Sequence, residues 1–439
     1  MKRFLLLSIM PALALAMSDN REFTIGNWRC YFSNHGTWGY GLSRAGGFWC
    51  DSQYVYGAGL WVGAILNDAD TLVTVGYNPN SGKSEMFPTL CANWREGSGN
   101  PRDRIYSYPG DWPPPRSRFP MAPDSAVSDI ELWNCCCDSD PAQHTVPGRP
   151  LGLDMLLTVL AVGDSFSRDM FFLHYELSNP GPDSLKGVYA GLMIDPDIAN
   201  ATDDRAGLIL NRHFNVGGDT FTVRSTGFCW SEDNMPSGAV AARLLKGPRS
   251  DTLSAFKLFI LANDPKDDFS QYLALSGHDW DPPYPYNPFD SIDPAPDDKR
   301  FLLSVGPFDI APQAAETLLF AVFGTPFDPA DTGELALRAE WARKRWDRLL
   351  AVEEQPPTAR NAQPVTTIVR SVLVLPASGV KRGALGVLLD ISGRRVLVLH
   401  PGPNDVSRLA PGVYFVRERL AAVSPEPSAV SVRKVIVTK

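Results

Sequence analysis

The sequence predicts an all-β protein: a large antiparallel, sandwich-type body with one closing helix, then a second, smaller β-sandwich at the C-terminal end. Three observations carry this. Thirty-eight Pro and 36 Gly are spread along 439 residues, which favours many short strands and turns over long helices. Short apolar or alternating runs recur, separated by clusters of Pro, Gly, Asn and Asp. A sustained helical period is found only late, after Asp331. The hydrophobic content of 44% supports a packed interior, and the length calls for two or three domains.

Residues 1–16 stand apart. Lys2 and Arg3 precede an apolar run over 4–15 that ends in Ala14-Leu15-Ala16. A basic end, a short apolar core and small residues at the last and third-last positions read as a secretory signal peptide. The run is too short for a bilayer core that needs about 20 apolar residues. No later stretch is long and apolar enough to span, so the expected product is soluble and outside the cytoplasm.

The body is expected over 17–352, with a sub-domain boundary near 150. Residues 21–63 are dense in Gly and aromatics, including Trp38, Trp49, Tyr54, Tyr56 and Trp61. Core packing is one reading of them and a sugar-binding platform the other. Residues 60–65 and 71–75 read as strands joined by a turn at 67–70. Residues 78–150 are polar and loop-rich. Strands follow at 153–162, 170–178, 187–195, 220–228, 239–245, 255–262, 301–305 and 317–324. The segment 279–298, rich in Pro, Asp and Tyr, should be an exposed loop.

Asp331 can cap a helix, with Glu334 three residues on. Leu335, Ala339, Ala342, Trp346 and Leu349 form its apolar stripe, which should pack across the end of the sheets. Arg338, Arg343, Lys344 and Arg348 should face away. Residues 353–365, polar and Pro-containing, read as a linker, and 366–439 as the last domain.

All seven cysteines lie in the body: Cys30, Cys50, Cys91, Cys135, Cys136, Cys137 and Cys229. In an oxidising compartment some should pair, and an odd number leaves at least one free. For the triplet, one or two disulfides are expected, for example to Cys91 or Cys229, with connectivity open. A metal site is the sharper reading, but adjacent cysteines seldom converge on one tetrahedral ion.

The formal charge of −8 is uneven. From Thr366 onward there are 11 basic and 4 acidic residues; the remainder carries 30 basic and 45 acidic ones. An acidic body argues against nucleic acid as a partner. The basic module could touch an anionic surface or simply be well solvated.

Few residues suggest chemistry. Gly163-Asp164-Ser165-Phe166-Ser167 resembles the nucleophile block of GDSL-type esterases, but no Asp-x-x-His occurs to supply the base, and the segment reads as a polar turn. Asp195, Asp197, Asp203 and Asp204, with Asn200, gather hard oxygen ligands at a strand end and suit calcium; an acidic surface turn gives the same pattern. The six His show no H-x-x-x-H or H-E-x-x-H spacing, and there is no P-loop or G-x-G-x-x-G. His174, within a strand, reads as structural. A pair of acids for glycoside hydrolysis does not stand out.

The C-terminal 75 or so residues carry three blocks: Leu388-Leu389-Asp390-Ile391-Ser392-Gly393-Arg394-Arg395-Val396, then Leu409-Ala410-Pro411-Gly412-Val413-Tyr414-Phe415-Val416, then Arg433-Lys434-Val435-Ile436-Val437-Thr438-Lys439. In that order they resemble the C-terminal sorting domain of type IX secretion, with Asp390, Gly393, Arg394, Gly412, Tyr414, Lys434 and Lys439 at the motif positions. The opening Pro-Asn-Pro of that family is replaced by Leu375-Pro376-Ala377. The resemblance implies an Ig-like sandwich, export across both membranes, and the secretion machinery as a partner. The body is similar to large β-rich secreted proteins that carry this domain.

The expected function is therefore that of a secreted or cell-surface β-protein with a structural, adhesive or ligand-binding role, a glycan or surface polymer being one partner. The alternative is a secreted hydrolase acting on polysaccharide or another extracellular polymer. No cofactor is implied beyond calcium.

Overall fold

The computed structural model describes residues 18–40, 46–66, 70–96, 99–145, 148–233, 238–290, 293–353, 367–369, 372–375, 386–390, 394–400, 402–419 and 430–438. Residues 1–17, which include the expected signal peptide, residues 67–69, most of the expected linker, Gly393 and Lys439 lie outside them. Contacts divide the chain into two units, Met1–Val352 and Glu353–Lys439.

The first unit is all-β, as the composition predicts, with two large antiparallel sheets. A ten-stranded sheet combines N-terminal strands, including Trp28–Ser33, Gly57–Leu66 and Asp70–Val75, with Leu185–Asp195, Ala255–Ile260 and Lys299–Ile310. An eight-stranded sheet runs from Asp204–Val216 through Asp219–Ser231, Ala239–Lys246, Ala315–Thr325, Met170–Ser178, Asp154–Ala161 and Ile130–Cys137 to Tyr106–Tyr108. Both sheets take strands from before and after residue 150, so the body is not divided there.

Alternation along Met170–Ser178 shows how the layers stack. Phe171, Leu173, Tyr175 and Leu177 enter the cluster between the sheets, whereas Met170 and Phe172 enter a second cluster on the outer face. Successive strand side chains point to opposite faces, and both faces here are covered. The outer cluster is completed by Leu335, Ala336, Ala339, Ala342 and Leu349 of the helix Gly333–Glu353. That helix therefore lies on the face of the eight-stranded sheet, where its apolar stripe joins the outer cluster, and not across the sheet ends. Asp331 Oδ1 accepts from Gly333 N at 2.9 Å at its start. Arg338 does not face away: its guanidinium pairs with the buried Asp169 and, at 2.9 Å, with Glu334.

The ten-stranded sheet is covered in the same way. The helix Asp268–Leu275 packs Tyr272, Ala274 and Leu275 against Trp61, Val73, Val75, Met193 and Leu302. Sequence reading missed this element, although its capping box was visible: Asp267 accepts from Ser270 N, and Ser270 bonds back. The body is thus sheet on sheet with a helix on each outer face.

In the second unit a five-stranded sheet is built from Thr367–Val369, Gly386–Leu389, Arg395–Leu399, Gly412–Arg419 and Val430–Val437, and a two-stranded one from Val372–Leu375 and Gly402–Asp405. Leu373, Leu388, Leu399, Val406, Tyr414, Val416, Val435 and Val437 form its own core. No helix among the described residues is long and apolar enough to cross a membrane.

Candidate functional site

Of the four aspartates singled out for calcium, Asp195 pairs with the guanidinium of Arg300 and Asp197 feels its charge, while Asp204 interacts with Asp197 and Asp203. Asp195 ends its strand opposite Gly57. Its carboxylate accepts from Tyr77 OH at 2.9 Å and lies 3.2 Å from Arg300 Nε. Arg300 also faces Asp298 at 3.3 Å and Asp264 at 3.9 Å. Asp197 accepts from Gln53 Nε2 at 3.4 Å. Asp204 is fully buried, with one oxygen 3.4 Å from Ile198 N and the other without a hydrogen-bond donor among the described residues. Asp203 reaches the cluster through its charge on Asp204. Burial pushes these carboxyls up: Asp195 to about 7, Asp197 and Asp264 to about 6, Asp204 to about 9. Burial opposes the charge on Arg300, but Asp195, Asp264 and Asp298 outweigh it and hold the guanidinium above its usual range.

Among the described residues, no three of these carboxylates bring an oxygen each within 4.8 Å of one another. Arg300 supplies a positive charge beside Asp195. Asp264, Asp298, Tyr77 and Arg300 were missed because they arrive from other strands and loops; no local spacing announces them.

No disulfide is seen among the seven cysteines in the structure. The pleat separates the triplet. Cys136 enters the core between the sheets, while Cys135 enters a small cluster with Leu90, Tyr106, Phe119 and Trp133 on the other face. Cys137 pairs across the sheet with Asp154, and its thiol, that of Cys91 and the Asp154 carboxylate all lie within 4.8 Å of one another. Cys30 and Cys229 are buried, and Cys50 is exposed on a turn.

The aromatic platform read near the N-terminus is core. Trp28, Trp38, Trp61 and Tyr54 are fully buried; Trp38, Phe32 and Phe171 pack within about 6 Å of each other. Exposed aromatics appear instead where the sequence predicted an exposed loop. Tyr286 is 67% exposed, Tyr284 39% and the adjacent helical Phe269 50%. Tyr284 meets Phe269 edge-on at 5.5 Å and takes a positive φ of 59°.

The same loop builds a cleft of about 660 Å³ with Trp280, Asp279, Asp281, Asn287 and Asp290 on its walls. Trp280 Nε1 donates to Asn263 O at 2.7 Å, which fixes the indole. Beneath it, the buried Lys257 donates to Asp279 at 2.6 Å, Asp290 at 2.9 Å and Asn287 O at 2.9 Å, with its ammonium 5.9 Å from the Trp280 ring. One cation thus ties the strand Ala255–Ile260 to both ends of the loop. Such a site offers an aromatic face beside fixed acceptors. A larger groove of about 780 Å³ runs beside Asp204–Val216, but its Arg205 is engaged by Glu232 at 2.6 Å and its Trp230 is stacked on Phe228.

Two other sequence features resolve simply. Asp164 caps the Gly163–Ser167 segment, accepting from Phe166 N and Ser167 N at 3.1 and 2.8 Å, so it is a turn. Burial among apolar neighbours lowers His174 to about 4, and its ring lies 6.3 Å from that of Trp346.

In the second unit Asp390 staples a hairpin: its carboxylate accepts from Arg394 N and Arg394 Nε, both at 3.0 Å. Gly412 opens its strand, Tyr414 is buried with its hydroxyl on Ala410 O at 2.8 Å, and the backbone of Lys434 pairs with Phe415. Asp390, Arg394 and Tyr414 therefore act on the turns that join the strands.

No family model matches the chain, and no curated protein matches it. Among solved structures, a polysaccharide lyase is similar at 9% identity and a TM-score of 0.25, covering 87% of this chain and 40% of that one. The chain thus spans well under half the length of that lyase, and at this score the likeness says nothing about fold or activity.

Proposed function

We propose that the chain is a secreted or surface β-protein that binds a carbohydrate polymer, and that the 279–290 loop is its contact site. The observation that carries this reading is the juxtaposition of Trp280 with Asp279, Asp281, Asn287 and Asp290 in one cleft, beside the exposed Tyr284 and Tyr286. A pyranose presents C–H groups on one face and hydroxyls around its rim. An aromatic ring set among carboxylate and amide acceptors meets both, the ring giving contact area and the polar groups orientation. Lys257 holds those acceptors in place before any ligand arrives, which reduces the ordering cost of binding.

The C-terminal unit is, on this proposal, the address: Asp390, Arg394 and Tyr414 support a small β unit with its own core, and the signal-peptide reading of residues 1–16 supplies the first export step. The secreted hydrolase is the second reading. It draws on the acids around Arg300, but Asp195, Asp204 and Asp264 are at most 3% exposed and are closed to a polymer.

A glycan array with the full chain, paired with a reducing-end release assay on the polymers that bind, tests the choice. Binding without chain cleavage is expected. Cleavage that survives Trp280→Ala would favour the hydrolase, and an array with no binding would sink the proposal.

A further inference from the structure

We propose that Cys91, Cys137 and Asp154 form a binding site for a thiophilic divalent cation of the zinc class. Three segments far apart in sequence deliver these ligands. Cys137 is the last residue of the strand Ile130–Cys137, and Asp154 is the first of Asp154–Ala161; the two are direct cross-strand partners. Cys91 opens the short 3-10 turn Cys91–Glu96, and its backbone N donates to Asp154 Oδ1 at 2.6 Å. Cys137 is fixed from its other side by paired backbone bonds with Phe87 at 2.6 and 2.8 Å.

The two sulfurs and a carboxylate oxygen lie within 4.8 Å of one another. Around a tetrahedral zinc ion, with Zn–S about 2.3 Å and Zn–O about 2.1 Å, neighbouring ligand atoms stand roughly 3.6–3.8 Å apart. The contraction that a bound ion would require is therefore at most about 1 Å per pair. Two thiolates and one carboxylate are a soft-plus-hard donor set that suits zinc over calcium or magnesium. Cys91 is half-buried while Cys137 and Asp154 are buried, so the fourth position opens toward Cys91 and solvent. Cys135, on the same face as Cys137, packs among Leu90, Phe119 and Trp133 and is not part of the set. The triplet thus contributes one ligand; Cys136 points to the opposite face.

Asp154 distinguishes this arrangement from a cystine. A disulfide between Cys91 and Cys137 would use both sulfurs and leave a buried carboxylate against an uncharged bridge. A dication uses all three groups: each S–H bond breaks, a sulfur–metal bond forms, and the protons pass to solvent.

The test uses the reduced, chelator-treated full chain titrated with Co²⁺. One equivalent should give thiolate-to-cobalt charge-transfer absorption and tetrahedral visible bands, both erased by Zn²⁺. Zn²⁺ should also shield two thiols from alkylation, mapped by peptide mass spectrometry to Cys91 and Cys137. Cys91→Ser should remove most of the charge-transfer intensity, and Asp154→Asn should weaken Co²⁺ binding about 10-fold or more while keeping it. The shielding pattern of the unmodified chain decides the matter if either variant fails to fold. Absent charge transfer, shielding of other cysteines, or a metal-free Cys91–Cys137 cystine in the isolated protein would overturn the proposal.

Discussion

Asp195, Asp197, Asp204 and Asp264 share one consequence of burial. Their carboxyls sit at about 6 to 9 in the folded chain, against about 3.9 when unfolded. A raised acid binds its proton more tightly in the native state, so its stabilising effect is full below about pH 4 and is lost as pH rises through the folded value. For Asp195, Asp197 and Asp264 that window runs from about pH 4 to about 7. The melting midpoint of the body should therefore rise when pH is lowered from 8 to 5.5. Asp204→Asn should raise stability at pH 8 by roughly 1–3 kcal/mol and flatten that slope, read by thermal melts across pH. Calcium added to the same melts at pH 8 tests the calcium expectation directly, since a bound ion raises the midpoint by mass action. Lys257 is the opposite case, a buried cation held by two carboxylates. Lys257→Ala removes the shared partner of Asp279 and Asp290, which solvent reaches in part, and should cost about 1–3 kcal/mol in chemical denaturation. The four aspartates were legible because they lie within ten residues; Arg300 and Lys257 were not, since a lone basic residue in a strand carries no signal of its partners.

At the level of elements, alternation explains both what was read and what was missed. The strand expected at 170–178 is present as Met170–Ser178, and those expected at 317–324 and 239–245 extend by one or two residues at the ends. Their apolar residues fall on both faces because both are covered, one by the other sheet and one by a helix. Ile130–Cys137 and Asp204–Val216 were not expected. The first hides in the cysteine-rich stretch taken as loop, and the second carries exposed polar residues such as Asn211, Arg212 and His213 toward its end. Gly324 shows how closely the two sheets meet: a Cβ there would run into the ring of Trp49, whose Nε1 is held by Asp169 at 2.8 Å. The strand admits no side chain while that indole stays in place. Gly324→Ala should destabilise the body by about 1–3 kcal/mol, measured as a lower denaturation midpoint with unchanged slope.

For the molecule as a whole, the sequence made class and charge division plain. The Pro- and Gly-rich, strand-spaced composition matches an all-β body, and the basic last segment lies within a second unit with its own core. Pairings such as Gly57–Leu66 with Leu185–Asp195 were out of reach, because nothing local to Trp61 says that it lies opposite Gly191. The same long-range closure moved the aromatic argument. Early Trp and Tyr residues became core, and the loop whose Pro, Asp and Tyr content marked it as exposed became the surface with aromatic contacts. Binding at that loop is the central claim, and tryptophan fluorescence titration of the full chain with an array-selected polysaccharide tests it most directly. The account predicts saturable change in the native chain and at least about a tenfold loss of affinity in Trp280→Ala, with the fold intact by circular dichroism. Equal affinity in the two proteins would contradict it.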